Sequence, residues 1–145
     1  MRIPSYDLDD DLIEATRADG APRVRVKRFE GHAIVLGRGG RAEAELNREA
    51  ILEDGIQVFR RHGGGCAVLL DPGNIIVSVI WPLPGLGGIK KAFNDISSAL
   101  IKGLAEAGLP GVTQEGISDL VLNGRKIGGS CIYLSLIHIL TLPTN

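Results

Sequence analysis

A pair of arginines followed by three glycines is the clearest candidate for chemistry in this sequence. Arg60 and Arg61 precede Gly63, Gly64 and Gly65, with one histidine between them. Glycine carries no side chain, so its backbone N–H groups can lie directly against a ligand. Such a loop beside two cations suits an anion. A flexible hairpin loop with two solvated arginines is the alternative that these residues leave open.

The glycine loop differs from the common nucleotide-binding loops. No lysine follows the glycines, as it would in a GxxxxGK[ST] phosphate loop. Strand patterns surround the loop instead: residues 58–61 alternate, residues 67–70 form an apolar run that we expect to be buried, and residues 75–81 are rich in β-branched side chains. We therefore expect a three-stranded meander. Its second turn, residues 71–74, should be of type II with Gly73 at positive φ.

A second candidate site is predicted at residues 116–130. Asn123-Gly124 between apolar runs predicts a hairpin with a type I′ turn. A two-residue loop would place Leu122 opposite Arg125, Val121 opposite Lys126, Leu120 opposite Ile127 and Asp119 opposite Gly128. Leu120, Leu122 and Ile127 would then face the core. Asp119 and Lys126 would be diagonal neighbours with Cβ atoms about 7 Å apart, too far for a tight ion pair. A solvated strand lysine is the alternative for Lys126.

Both stretches resemble signatures of the lipoate-protein ligase A and octanoyltransferase family, within the biotin/lipoate A/B protein ligases. Residues 60–74 resemble RRxSGGGAVxxDxGN, and residues 118–131 resemble (N)DLxxxGRKxxGSA. The strand pattern at residues 33–36, followed by Gly37-Arg38, is similar to a third element of that family. The sequence departs from the signatures at five positions: Gly63 replaces serine or threonine, Cys66 the third glycine, Leu70 a frequent histidine, Ser118 asparagine and Cys131 alanine.

The resemblance implies a fold and a set of site residues. The fold would be α+β, with a mixed, mainly antiparallel sheet and flanking helices, like the class II aminoacyl-tRNA synthetases and biotin synthetases. Lys126 would be the catalytic residue. The residues expected to bind ATP or the acyl-adenylate are Arg61, Gly63, Gly64, Gly65, Cys66, Ala67, Val68, Leu69, Asn74, Asp119 and Lys126. Asp119 could also hold a metal ion, and an apolar slot near Val77 and Val79 could hold the acyl tail.

The resemblance also implies a reaction and partners. Lipoate or octanoate would be activated with ATP and Mg²⁺ to an acyl-adenylate. The acyl group would pass to a lysine of a lipoyl acceptor domain of 2-oxoacid dehydrogenase complexes, or of the glycine cleavage H protein. One alternative is an ATP-independent octanoyltransferase that carries a thioester on Cys66 or Cys131. Another is an inert, truncated fragment with unpaired sheet edges.

Composition narrows the class of protein and of partner. The chain has 145 residues, of which 44% are hydrophobic, enough for one folded domain. A net charge of −1 and 4% aromatic residues disfavour nucleic acid as a partner. Two cysteines make no disulfide framework, and we expect a reducing, cytoplasmic setting with no membrane association. Three scattered histidines argue against metal sites and Ser-His-Asp triads.

The remaining patterns predict the scaffold. Residues 23–29 alternate as a strand with one wet face, Asn47 and Gly55 would cap a helix, and apolar residues from Ile89 to Ala107 recur at helical spacing until Gly108 and Pro110. We expect that helix to cover one face of the sheet. Charged side chains are absent after Lys126. We therefore expect residues 1–133 to be the N-terminal part of a catalytic domain and residues 134–145 to be a non-native tail.

Overall fold

The structure, a computed structural model, describes residues 2–7, 9–85 and 87–134. The first five helices and strands are α1 (Asp10–Asp19), β1 (Arg23–Arg28), β2 (Ala33–Leu36), α2 (Ala42–Glu45) and α3 (Arg48–Asp54). They are followed by β3 (Gln57–Arg60), β4 (Val68–Leu70), β5 (Ile75–Ile80), α4 (Ile89–Glu106), β6 (Thr113–Glu115), β7 (Asp119–Leu122) and β8 (Arg125–Gly129). The predicted tail, apart from Leu134, lies outside the described residues.

Hydrogen bonding divides the strands into three small sheets, ordered β1-β5, β3-β2-β4 and β6-β7-β8. The central sheet is mixed, because β2 pairs in parallel with β3 and antiparallel with β4. The predicted meander is therefore wrong. The chain reaches β3 from β2 through α2 and α3, a connection long enough for parallel pairing. β2 separates β3 from β4, and β5 pairs with β1 in another sheet.

The core of the described residues is centred on β2. Ala33, Val35 and Leu36 are buried, because strands flank β2 on both sides. The predicted burial of residues 67–70 is wrong, since Val68 and Leu69 in the edge strand β4 are exposed. The turn at residues 71–74 also differs from the prediction. Asn74 N–H donates to the Asp71 carbonyl at 3.0 Å, as in a β-turn. Gly73 does not have positive φ, however, so the turn is not type II.

The β1-β5 ribbon has an unexpected arrangement of polarity. Val24 and Val26 are exposed, whereas Arg25 and Lys27 on the other face approach Asp9 at 2.8 and 3.0 Å. The face of β1 that carries Arg25 and Lys27, predicted to be solvated, is thus the partly covered one. Long-range ion pairs to the start of α1 determine which face is covered, and alternation alone does not reveal them.

The helix predictions are confirmed at their ends. Asn47 Oδ1 accepts a hydrogen bond from Ala50 N–H at 3.2 Å, and Gly55 closes α3 at φ 63°. The helix α4 ends at Glu106, before Gly108 at φ 94°. Its apolar side chains at helical spacing are half-buried, and Ser97 is the buried residue among those described in α4. The described contacts do not show α4 covering a sheet face.

Candidate active site

Two loops of the central sheet meet backbone to backbone in what we call the glycine corner, residues 37–40 and 61–66. A Cβ atom on Gly37 would lie 1.9 Å from the Gly65 carbonyl oxygen, so no other residue fits there. Arg38 N–H donates to the Gly63 carbonyl at 2.9 Å. The parallel pairing of β2 and β3 brings both loops to the same end of the sheet. Glycine is therefore required at Gly37 by close approach rather than by φ.

Arg61 holds the corner from inside. It is 8% exposed, and its guanidinium donates to the carbonyls of Val35 at 2.9 Å, Gly64 at 2.7 Å and Cys66 at 2.9 Å. Its Nε is buried without a hydrogen-bond partner among the described residues. A buried donor without a partner is costly. Arg61 therefore shapes the loop and also leaves one donor that a bound group or water could satisfy.

Arg60 is likewise bound to backbone rather than solvated. Its Nη1 donates to the carbonyls of Gly37 at 2.9 Å, Arg38 at 3.2 Å and Gly40 at 2.7 Å. The guanidinium groups of both arginines thus donate hydrogen bonds to backbone carbonyl oxygens of the central sheet and its loops. Both guanidinium groups therefore lie at the glycine corner, and binding of an anion there stays a prediction.

Sequence reasoning missed Glu45, the last residue of α2. Its Oε2 accepts from Ala67 N–H at 2.8 Å, and its Oε1 accepts from Arg41 N–H at 3.1 Å. An internal carboxylate therefore occupies one of the backbone donors predicted to bind ligand. Only the fold brings Glu45 to Ala67, since 22 residues separate them. A ligand anion at Ala67 N–H would compete with this carboxylate.

Of the other predicted binding residues, Cys66, Val68 and Leu69 continue the chain from the loop, whereas Asn74 lies beyond the opposite end of β4, where Leu70 pairs with Ala33. Cys66 is exposed with a free thiol, and Val68 and Leu69 present exposed side chains on β4. Asn74 is engaged in the turn, where its Oδ1 accepts from Asp71 N–H at 2.7 Å. Gly65 is at φ 94°, a backbone conformation that favours glycine.

The second motif forms the predicted hairpin. Asn123 and Gly124 have φ of 51° and 71°, which confirms the type I′ turn. Leu122 pairs with Arg125 and Val121 with Lys126, as predicted. Beyond these two pairs the predicted register is wrong, because a β-bulge leaves Ile127 without a partner residue on β7. Leu120 then pairs with Gly128, and Asp119 with Gly129.

Burial and ion pairing in the hairpin both differ from the prediction. Val121 is buried and Ile127 exposed, which reverses their predicted positions. Lys126 Nζ lies 2.9 Å from Asp119 Oδ1, so the prediction that these two groups are too far apart for a tight ion pair is wrong. Lys126 lies over Gly129, where a Cβ atom would be 3.5 Å from Nζ. The Lys126 side chain is still 59% exposed.

The chain after Lys126 reaches the glycine corner. The space beside the Cα of Gly63 is closed by Cys131 Sγ, 3.0 Å from where a Cβ would be. The rings of His62 and Tyr133 stack with centroids 5.0 Å apart. Residues 129–133 therefore connect the lysine hairpin to the arginine loop. The two motifs are thus in contact through this segment.

Two recesses of the described residues lie away from both motifs. A recess of about 620 Å³ is lined by Phe29, Glu30, Gly31, His32, Asp54, Gly55, Ile56 and Gln57, none of which is a predicted site residue. No group of three or more His, Cys, Asp or Glu in the described part of the chain could hold a metal ion. No described helix is both long and apolar enough to cross a membrane.

Comparison with solved structures identifies the fold. A bipartite lipoate protein ligase from Thermoplasma acidophilum aligns with a TM-score of 0.78 at 23% identity, over 88% of this chain and 50% of that one. Its structure was described with its E2 lipoyl domain. A lipoate-protein ligase A bound with ATP gives 0.75 at 23% identity over 88% and 55%. A putative lipoate protein ligase of T. acidophilum with lipoic acid gives 0.75 at 22% over 88% and 56%. The predicted α+β, class II synthetase-like fold is confirmed.

Sequence relatives identify the family. A probable lipoate-protein ligase A of Mycoplasma pneumoniae is 34% identical over 113 residues, 78% of this chain and 33% of the relative. An octanoyltransferase of Moorella thermoacetica is 34% identical over 103 residues, 68% of this chain and 37% of the relative. The chain thus spans about a third of these relatives' lengths. The family model "Lipoyl protein ligase A/B catalytic domain" matches residues 4–141, and the chain belongs to that family.

Proposed function

We propose that this chain carries the adenylate-forming half of a lipoate-protein ligase. Lipoate or octanoate would be activated with ATP, and the acyl group would pass to a lysine of a lipoyl acceptor domain. The observation that carries the proposal is the link through residues 129–133 between the arginine-held glycine corner and the hairpin of Lys126. Membership of the ligase and octanoyltransferase family supports it.

The first half-reaction joins two anions. A carboxylate oxygen of the acyl substrate bonds to the α-phosphorus of ATP as the bond to the pyrophosphate leaving group breaks. Backbone donors and cations are required, since the like charges must be held together. Gly63, Gly64 and Gly65 would supply N–H groups, and Ala67 N–H would join them by exchanging Glu45 for the ligand. The unpartnered Nε of buried Arg61 fits such a ligand oxygen. Cys66, Val68, Leu69 and Asn74 would border the nucleotide.

Lys126 would act in both half-reactions. Its ammonium would stabilise charge on the phosphoryl and acyl oxygens, first as the anhydride forms and then as the acceptor amine bonds to the acyl carbon and AMP leaves. The amine nitrogen of the acceptor loses a proton in that step. The exposed Lys126 remains accessible to such groups, and its link to Asp119 fixes its direction.

Asp119 would position Lys126. A second role would be as a ligand of Mg²⁺. This ion is usually coordinated by water molecules and substrate phosphates together with only one or two protein carboxylates, so a single aspartate would suffice. The Mg²⁺ would neutralise phosphate charge during adenylation. In this structure the carboxylate of Asp119 is engaged by Lys126, which supports the positioning role.

The acceptor would be a lipoyl domain of a 2-oxoacid dehydrogenase complex or the glycine cleavage H protein. A solved ligase of the same fold was described with its E2 lipoyl domain. The setting we propose is cytoplasmic. The acyl tail would lie on the apolar face that includes Val77, which is partly exposed on β5.

Acyl-dependent exchange of radiolabelled pyrophosphate into ATP tests the proposal. The chain should catalyse exchange only when lipoate or octanoate is present. Acetate is the matched control, because it offers the same carboxylate without an apolar tail. Exchange that is independent of the acyl acid, or none by a chain that unfolds cooperatively, would contradict the proposal. A chain without a cooperative thermal transition would instead support the inert-fragment alternative.

An octanoyltransferase is the second candidate, because both cysteines carry free, exposed thiols and an octanoyltransferase is among the relatives. In that reaction a thiolate would bond to the octanoyl carbon as the carrier thiol leaves. Mass spectrometry after incubation with octanoyl carrier protein separates the candidates. An octanoyl adduct on Cys66 or Cys131 without ATP favours the transferase, and its absence together with pyrophosphate exchange favours the ligase.

A further inference from the structure

The contact between Gly63 and Cys131 joins the two motifs at a single point. A Cβ atom on Gly63 would lie 3.0 Å from Cys131 Sγ, 3.4 Å from Cys131 Cβ and 3.4 Å from the Ile132 carbonyl oxygen. Gly63 does not have positive φ, so steric contact rather than backbone conformation restricts this position. The space that a side chain would take at Gly63 is filled by the cysteine from the hairpin side.

Two further contacts hold the same segment in place. His62 and Tyr133 stack with centroids 5.0 Å apart and ring planes 28° apart. On the other side, Ser130 N–H and Ser130 Oγ donate to the Ser118 carbonyl at 3.0 and 3.1 Å, next to Asp119. Residues 130–133 therefore touch the arginine loop at one end and the base of the lysine hairpin at the other.

We propose that residues 131–133 form a clamp that positions the glycine corner relative to Lys126, and that Gly63 and Cys131 are a matched pair within it. The clamp fixes the corner through close packing at Gly63 and ring stacking at His62. The lysine hairpin is fixed to the same segment through Ser130. Cys131 and Tyr133 are thus positioning residues, acting through the backbone rather than by contact with substrate.

The matched pair explains two departures from the family signature together. The signature resembled by this chain has serine or threonine at the position of Gly63 and alanine at that of Cys131. In this chain the Cys131 side chain lies where a side chain at position 63 would need room. Either exchange alone would leave an overpacked contact or a gap, and both cost stability in a close-packed site.

A double-mutant cycle in the 145-residue chain tests the pair by urea unfolding. Gly63→Ser should lower the folding equilibrium constant about tenfold, because the free-energy cost of overpacking a close contact corresponds to at least that change. In the Cys131→Ala background the same change should lower it less than about threefold, since the nearest atoms would then be 3.4 Å away. Gly64→Ser is the matched control for stability, as nothing lies within 4 Å of its Cβ position.

Binding of octanoyl-sulfamoyl-adenosine, a stable mimic of the acyl-adenylate, tests the positioning role at a temperature where every variant is folded. Tyr133→Ala should weaken binding about tenfold through loss of the ring stack, and Tyr133→Phe should bind like the parent chain. This readout alone rests on the proposed function. If the parent chain binds no mimic, the proposed function fails, and the unfolding cycle alone decides the clamp.

Two results would overturn the clamp. One is a Gly63→Ser cost that is the same with cysteine or alanine at position 131, because the two sites would then be independent. The other is equal mimic affinity in the parent chain and in Tyr133→Ala. Rescue of Gly63→Ser by Cys131→Ala, together with mimic binding that is weakened in Tyr133→Ala but not in Tyr133→Phe, supports it.

Discussion

Two carboxylate–cation clusters of this chain differ in how far they are closed to solvent. Asp9 is 3% exposed, and Arg25, Lys27 and Ser78 donate to its two oxygens. Asp119 has a side chain 39% exposed and pairs with Lys126 at 2.9 Å. The closed cluster joins α1 to the β1-β5 ribbon, whereas the open one leaves a cation accessible to ligand. Similar residue types thus serve structure in one place and suit chemistry in the other.

The charge state of Asp9 reflects its closure. Burial acts to raise the pKa of Asp9, but hydrogen bonds from Ser78, Arg25 and Lys27 outweigh it, so the pKa is lowered. A hydrogen bond from Arg25 likewise lowers the pKa of the exposed Asp11. Asp9 therefore remains ionised at neutral pH, as its partners require.

Removal of the open cation should have the largest effect, and on activity alone. Lys126→Ala should lower acyl-dependent ATP–pyrophosphate exchange by about 10²–10³-fold, because a charge that stabilises the transition state is lost. The free energy of unfolding should change by less than about 1 kcal/mol, since the pair is exposed. Arg125→Ala, the neighbouring exposed cation, is the control. Retained exchange in Lys126→Ala would refute its catalytic role.

Neutralising the closed carboxylate should have the opposite signature. Asp9→Asn should lower the free energy of unfolding by about 2 kcal/mol, because cations and a hydroxyl lose a buried acceptor. Urea unfolding measures this loss. Asp95→Asn, which removes an exposed pair with Lys91, should cost less than about 0.5 kcal/mol. Equal costs at the two positions would show that the Asp9 cluster is not closed in solution.

Acid should open the closed cluster. The pKa of Asp9 is lower in the folded than in the unfolded chain, so its contribution is complete above the unfolded value near ~3.9 and is lost as pH falls through the folded pKa. Unfolding free energy measured from pH 6 to pH 2 should fall. The fall should be smaller in Asp9→Asn, with Asp11 and Asp19, whose pKa values are also lowered, supplying the rest. Superimposable pH profiles would contradict this assignment.

The smallest effect is expected at the open carboxylate. Asp119→Asn should change unfolding by less than about 1 kcal/mol, as exposed ion pairs contribute little. Exchange should fall about tenfold through misdirection of Lys126, within the usual range for a lost charge-assisted contact. The control is Glu115→Gln, which removes the carboxylate of the residue opposite Asp119 in the β6-β7 pairing. A loss of stability as large as that of Asp9→Asn would remove the contrast between the clusters.

Local sequence predicted the features that local interactions decide. The cap at Asn47, the αL end at Gly55, the I′ turn at Asn123-Gly124 and the extent of α4 are all confirmed. Each depends on residues within a turn or two of one another, where the available conformations are few. The site residues were chosen by motif, and their roles stay predictions.

Tertiary structure decided which groups meet. Three sets of contacts join residues that no sequence periodicity relates. They are the parallel pairing of β2 with β3, the hydrogen bonds from Arg60 and Arg61 to backbone carbonyls, and the hydrogen bond from Ala67 N–H to Glu45. The Lys126 side chain also reaches Asp119 across the hairpin. The sequence alone determined the elements and the kinds of charge they carry. Which charges are buried, paired or left open was decided only by long-range packing, because burial and distance depend on elements far apart in the chain.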